Sequence, residues 1–516
     1  MDLEQPSEFQ SERSPLMSSF QKISQDVVKD FLQTAFIIDD RIYSTEKKEL
    51  PQELAEPVRN GVILPKSPET KVNKQEYSSD RKLETCELIA GFSQNNILCT
   101  PFQFNSETDI PVILSLSQKA DIVILDWELE DRKGNHTLGL INSFVNESSI
   151  SRLRLLCVYT GNPDLNKIAE QIREKLKQSP PASEDFKISV NGTIIVIYAK
   201  QKEHLNKENQ WRYVKHNLLA DKLIMDFSNA YSGLLRNAAM KAFTHIRSNT
   251  FSVLGKLYEG IDIPYLAHRA MIKDCEDAEP FAAELVFNLI HDVACTSDVS
   301  ALLSKIYLEA WIDFKISEKN KDKCKRIISG IYKEQSITPK NVFELLDLKH
   351  DNIDNDCLHF THLTSFSQDA NPDYLRTGIA LKDQDGSCFV CIQPECDCLR
   401  LEQGKEVEFA FLKMKPMEER KTNFNVSIQT APSKYEKKLI EEKHSLTMFP
   451  FTVAESKGLK FIDGKIKSSN GRDFTVIGQM RPDHARRFLT QKIGHMSRLG
   501  LDEFEWIRKQ SGSPRE

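Results

Sequence analysis

The chain has 516 residues, 40% hydrophobic and 28% charged, so it can bury a sizeable core and is neither disordered nor fibrous; at roughly 150 residues per domain it predicts about three domains. The formal net charge of -6, from 69 basic and 75 acidic side chains, excludes a chain that is basic throughout and coats nucleic acid. No apolar run approaches the ~18 residues of a membrane span, and the polar opening MDLEQPSEFQSERSP lacks the basic and apolar segments of an export signal. Residues 1–30 read as a polar arm and a first helix, with helical spacing in Ser24–Thr34. The apolar run Phe36-Ile37-Ile38 is a strand that stops at Asp39-Asp40, and residues 44–80, rich in Pro, Lys, Glu and Asn, predict a long surface loop.

From 81 to 200 helical stretches alternate with short β-branched runs. Lys82–Phe92 precedes Ile97–Cys99, and Pro111–Gln118 precedes Asp121–Leu125. His136–Val145 precedes Leu153–Tyr159, and Asn166–Lys177 precedes Thr193–Tyr198. Continuous runs of this kind are parallel strands buried on both faces. The expected architecture over 31–205 is therefore α/β, a doubly wound five-stranded parallel sheet. Phe186, Ile188 and Val190 alternate with polar residues up to Asn191-Gly192, a hairpin signal that adds an antiparallel edge to the last strand.

Residues 206–350 predict a helical domain. Leu219, Leu223, Phe227, Tyr231, Leu235, Ala238, Ala242 and Ile246 recur at steps of three or four, marking one long amphipathic helix. The stripe is either a homodimer seam or plain core; its length of roughly 30 residues favours the interface, because one domain seldom covers so much. Further helices are expected at Pro264–Lys273, Ala278–Val293, Val299–Phe314 and Asn341–Leu348. Residues 351–480 predict a β-rich module with strands at Thr377–Leu381, Cys388–Ile392, Val407–Leu412, Phe424–Ile428 and Phe474–Ile477. Its opening resembles a small SH3-like barrel. Residues 481–516 form a terminal helix, Pro482–Arg498, and a tail.

Two cysteine and basic clusters have bland readings that outweigh sharper ones. Eleven cysteines, an odd number, are scattered as reduced thiols of a cytoplasmic chain are. Cys388, Cys391, Cys396 and Cys398 invite zinc, but the first two sit in an apolar strand and face opposite sides, so they read as buried thiols. Arg481, Arg486, Arg487, Lys492 and Arg498 read as a solvated helix face, with Leu499, Leu501, Phe504 and Trp506 docking the tail; nucleic acid is not an expected partner.

Four strand ends carry residues suited to phosphoryl chemistry: Asp39-Asp40, Asp126, Thr160 and Lys200. In an open parallel sheet these ends converge on one edge, where ligands bind. Single Asp and Thr residues there are often only helix caps; the conjunction of four is what points to chemistry. Three carboxylates together call for a hard divalent cation such as Mg²⁺. Lys200 and the Thr160 hydroxyl then hold the oxygens of a phosphoryl group on one carboxylate.

The segments FIIDD, DIVILDWEL, CVYTG and IIVIYAK, in this order, resemble the CheY-like receiver domain of two-component response regulators over about residues 30–205. The resemblance implies that Asp126 accepts the phosphoryl group, and that Thr160 and Lys200 contact it. It further implies that Asp39, Asp40, Asp126 and the backbone carbonyl of Glu128 bind Mg²⁺. Gly134 stands where many receivers carry a glycine before their third helix. Departures are an insertion of about forty residues after Asp40, Glu130 and Gln201 at positions where proline is usual, and Ile197 in place of an aromatic, with Tyr198 one place later. Gln201 removes the usual reason for a cis peptide after Lys200. By the resemblance the partner is a histidine kinase, with a downstream effector protein, and the chain is a phosphoacceptor. It is similar to receiver proteins of bacterial phage-defence systems, which implies a phosphate sink. The alternative is a receiver-controlled effector whose C-terminal β module binds or cuts nucleic acid.

Overall fold

β-Branched runs flanked by Asp, Asn and Gly build the first unit of the chain. A computed structural model describes residues 18–42, 84–131, 133–146, 153–178, 186–202, 205–271, 278–316, 318–331, 353–367, 372–399, 401–417, 424–431, 434–440, 446–455, 458–481 and 483–491. They fall in two units, residues 1–347 and 348–516. The loop expected at 44–80, the helix at Asn341–Leu348 and the tail from Lys492 onward lie outside the described residues.

In the first unit, β1 (Thr34–Asp39), β2 (Leu98–Gln103), β3 (Ile122–Leu125), β4 (Arg154–Thr160), β5 (Lys187–Val190) and β6 (Thr193–Ala199) form one sheet of order β2-β1-β3-β4-β6-β5. Every neighbouring pair is parallel except the β5–β6 hairpin. Asn191 (φ 46°) and Gly192 (φ 76°) both take the positive φ of a type I′ turn, so the expected antiparallel edge is present. The sheet thus has six strands, five of them parallel. Because β2 and β3 lie on opposite sides of β1, the connections diverge there and leave a crevice at the carboxyl edge.

Alternate side chains of the strands enter two cores. Ile37, Ile124, Leu155, Cys157, Tyr159, Val196 and Tyr198 pack under α1 (Ser19–Phe31), α2 (Thr85–Gln94) and a later helix, Leu219–Tyr231. Ile38, Val123, Leu125, Leu156, Val158, Ile195 and Ile197 pack under α3 (Ile110–Ser117), α4 (Asn135–Asn146) and α5 (Leu165–Lys175). α1 begins at a capping box: the Ser18 hydroxyl accepts from the Gln21 N–H, and the Gln21 side chain accepts from the Ser18 N–H.

The single helix expected over 219–246 is two. α6 (Leu219–Tyr231) stops at Ser232, whose ψ of 142° is extended, and α7 (Leu234–Lys256) starts after Gly233. The apolar spacing continues across the break because Tyr231 and Ala238 enter the same core. Leu219, Leu223 and Phe227 are buried in that core, whereas Leu235 is 61% exposed. Helices at Asp262–Met271, Ala278–Ala294, Ser297–Ala301, Lys305–Lys315 and Glu318–Ile331 complete the described helical region. The Val299–Phe314 stretch is therefore also interrupted.

Among the described residues the second unit forms a nearly closed antiparallel barrel of nine strands. β10 (Glu406–Pro416) is long enough to pair with β9 (Cys388–Cys391), β12 (Lys434–Leu439) and β13 (Thr447–Thr452). Cys391 and Cys398 join one core with Phe389, Phe411 and Phe449, and Cys388 joins the other with Val390 and Leu412, so the strand thiols do face opposite sides. Residues 483–491 are helical. Among the described residues no helix is long and apolar enough to cross a membrane.

Candidate functional site

Parallel register decides where the polar strand ends lie. Ile38 pairs with Leu125, Leu125 with Val158, and Thr160 with Ala199. The residues one step further, Asp39, Asp126 and Lys200, therefore reach the same edge as Thr160. The ladder itself continues to them: the Asp126 N–H donates to the Ile38 carbonyl at 2.9 Å, and the Lys200 N–H to the Thr160 carbonyl at 2.8 Å.

The edge is dry and charged. Asp39 is 2% exposed, Lys200 6% and Asp126 8%. Lys200 Nζ donates to Asp39 Oδ2 at 2.6 Å and lies 3.2 Å from Asp126 Oδ1. Asp39 Oδ1 accepts from the Arg41 N–H at 2.8 Å. Asp40 Oδ2 accepts from the Glu130 N–H at 3.1 Å, and its Oδ1 faces Arg41 Nε at 3.7 Å.

Burial pushes Asp126 up to about 6; the Lys200 ammonium opposes this, and Asp39 and Asp40 add to it. Burial also raises Asp40, against the pull of Arg41 and with the push of Asp39. For Lys200 burial acts downward, but the Asp126 and Asp39 carboxylates outweigh it and hold the amine firmly protonated. One carboxylate oxygen each of Asp39, Asp40 and Asp126 lies within 4.8 Å of the others. Oδ1 of Asp40 and Oδ1 of Asp126 are shielded from water, with Arg41 Nε 3.7 Å from the first and Lys200 Nζ 3.2 Å from the second. Oxygen-only donors at this spacing fit a hard cation of the Mg²⁺ kind.

The loop after β3 is held by contacts that no spacing in the sequence announces. The Thr137 hydroxyl, in the first turn of α4, donates to the Asp126 carbonyl at 2.7 Å. Asn162 Nδ2 donates to Glu128 Oε1 at 2.8 Å, and the Asn162 N–H donates to the Thr160 hydroxyl at 3.0 Å. Asn162 thus ties the two strand ends together, while the Thr160 proton remains a donor. Gly134, with φ 84°, lies under the Trp127 indole, where any Cβ would collide with the ring. Glu130 turns the chain with φ 53°. No described peptide bond is cis, Lys200–Gln201 included.

Residues 31–205 match the response receiver domain family. No curated protein and no solved structure matches the chain. Receiver domains generally bind Mg²⁺ in an acidic pocket, and Asp39, Asp40 and Asp126 form an acidic cluster here. The strand order, the acidic cluster at the carboxyl edge and the family match agree: residues 31–205 are a response receiver domain, the phosphoacceptor module of two-component response regulators.

Proposed function

We propose that this chain takes a phosphoryl group from the phosphohistidine of a histidine kinase onto Asp126. The observation that carries the reading is the Lys200 ammonium held 2.6 Å from Asp39 and 3.2 Å from Asp126, on the dry carboxyl edge of the sheet. An Asp126 carboxylate oxygen attacks phosphorus as the P–N bond to the kinase imidazole breaks, and the leaving ring takes a proton from water. Lys200 pairs with one phosphoryl oxygen, and the Thr160 hydroxyl donates to another. Asp39, Asp40, Asp126 and the Glu128 carbonyl are the residues that would hold Mg²⁺, which when bound spreads the charge of the transferring group.

The domain serves as a phosphate sink in a bacterial defence signalling system, by its resemblance to such receivers. What supports a sink over a switch is the aromatic position. Ile197 is buried in the core under α4 and α5, and Tyr198 is turned to the opposite core. There the Tyr198 hydroxyl donates to Asp226, and the Arg212 guanidinium stacks 4.1 Å from its ring. An aromatic held in this way is tied to α6 rather than to Thr160. The α6 part of the stripe lies in the chain's own core, so the proposal includes no dimer through it.

Borohydride trapping tests the assignment, because reduction converts an aspartyl phosphate to homoserine. After incubation with a phosphorylated kinase or acetyl phosphate, peptide mapping should place homoserine at position 126. Reduction at another carboxylate would contradict the proposal.

A further inference from the structure

A second set of metal-ligating side chains stands beside the acceptor pocket, and the receiver chemistry does not use it. Glu84 precedes α2 and Glu87 lies in its first turn, while His216 opens the short turn that leads into α6. Close packing holds these two elements together. A Cβ at Gly91 would come within 2.5 Å of the Asn217 carbonyl oxygen, so only glycine lets the turn rest on the helix. Asn95 Nδ2 bridges the Gly91 carbonyl and, at 2.8 Å, Asp221 Oδ1 at the start of α6.

A ring nitrogen of His216 and one oxygen each of Glu84 and Glu87 lie within 4.8 Å of one another. The His216 ring packs edge-on against Tyr159, with centroids 5.4 Å apart. Its Nε2 is shielded from water and has no hydrogen-bond partner among the described residues. One imidazole nitrogen beside two carboxylates is a donor set that fits a bound cation.

We propose that Glu84, Glu87 and His216 form a second metal site that takes a borderline first-row cation such as Zn²⁺. One imidazole and two carboxylates leave open positions for water, and the imidazole favours Zn²⁺ over Mg²⁺. Tyr159 stands between the two sites, with Lys200 Nζ 5.8 Å from its ring centre. The second cation would pin α2 to the turn before α6, within one aromatic ring of the pocket's lysine. Cys86, an exposed thiol between the two glutamates, is the competing ligand.

The test is calorimetric titration of ZnCl₂ into the full chain, with Mg²⁺ present at saturation to occupy the acidic pocket. One equivalent should bind, weakened at least about tenfold by Glu84→Gln, by Glu87→Gln or by His216→Gln. Both glutamates are exposed, so their variants keep the fold. Zinc X-ray absorption should show a nitrogen and oxygen shell without sulfur. Affinity unchanged in both glutamate variants, loss in Cys86→Ser with a sulfur shell, or no binding at millimolar Zn²⁺ would each overturn the site.

Discussion

The Lys200 ammonium donates to Asp39 at 2.6 Å, closer than the 3.2 Å that separates it from Asp126. The lysine is thus the internal countercharge of a buried acidic edge as well as the proposed ligand for phosphoryl oxygens. Lys200→Met would leave Asp39 and Asp126 facing each other with little solvent. It should cost about 3 kcal/mol in denaturant melts without divalent cations, and Mg²⁺ should restore part of that. A variant as stable as the wild type and indifferent to Mg²⁺ would contradict the charge balance described here.

Mg²⁺ affinity should fall with acid. Burial, opposed by Lys200 and helped by Asp39 and Asp40, pushes Asp126 up to about 6 from 3.8. The folded chain therefore holds this proton more tightly than the unfolded one, and losing it costs stability as pH rises through 6. The same proton competes with the metal. Calorimetry should show Mg²⁺ affinity dropping by up to about tenfold per pH unit below 6 and levelling off above 7. A flat profile from pH 5 to 8 would place the titrating group elsewhere.

Two glycines of one loop and helix should respond in opposite ways to alanine. Gly134 has φ 84° and the Trp127 ring where its Cβ would go, so Gly134→Ala should destabilise by about 2 kcal/mol or more. Gly139, in α4, has open space around it, and Gly139→Ala should stabilise by about 0.5–1 kcal/mol. Thermal melting of both variants decides this, and equal shifts would contradict the packing of Trp127.

Tyr198 separates a sink from a switch. Tyr198→Phe removes the hydroxyl that donates to Asp226 and should cost about 1–3 kcal/mol. Transfer to Asp126 should stay within about a factor of two of the wild type. A tenfold or larger change in transfer rate would show that Tyr198 is part of the response.

Much of the first unit was legible because both of its signals are local. Continuous β-branched runs marked the parallel strands, and Asn191-Gly192 marked the hairpin through its need for two positive φ angles. The acidic pair, Asp126, Thr160 and Lys200 could be grouped because parallel strands all end on one edge. Other features depend on partners far away in sequence. Thr137 and Asn162, which bind the Asp126 loop and Glu128, look like ordinary helix-start and turn residues until the loop closes on them. The break at Ser232-Gly233 was hidden because α6 and α7 keep one apolar spacing over one core. In the second unit β12, KYEKKL, carries too much charge to read as a strand, and Pro450 in β13 argues against one. Lys437 and Lys438 are nonetheless buried, and among the described residues β13 pairs in the sheet only with β10, where a proline is tolerated.

The central claim, that Asp126 accepts a phosphoryl group with the help of a metal at Asp39 and Asp40, is tested most directly by intact mass. The wild-type chain, given a phosphorylated kinase or a small phosphodonor, should gain a single phosphoryl group with Mg²⁺ and none after chelation. Asp126→Asn should gain none, and Asp39→Asn should gain it only slowly, at a raised Mg²⁺ requirement. A phosphoryl group that appears on Asp126→Asn, or that forms equally well in the presence of chelator, would contradict the account.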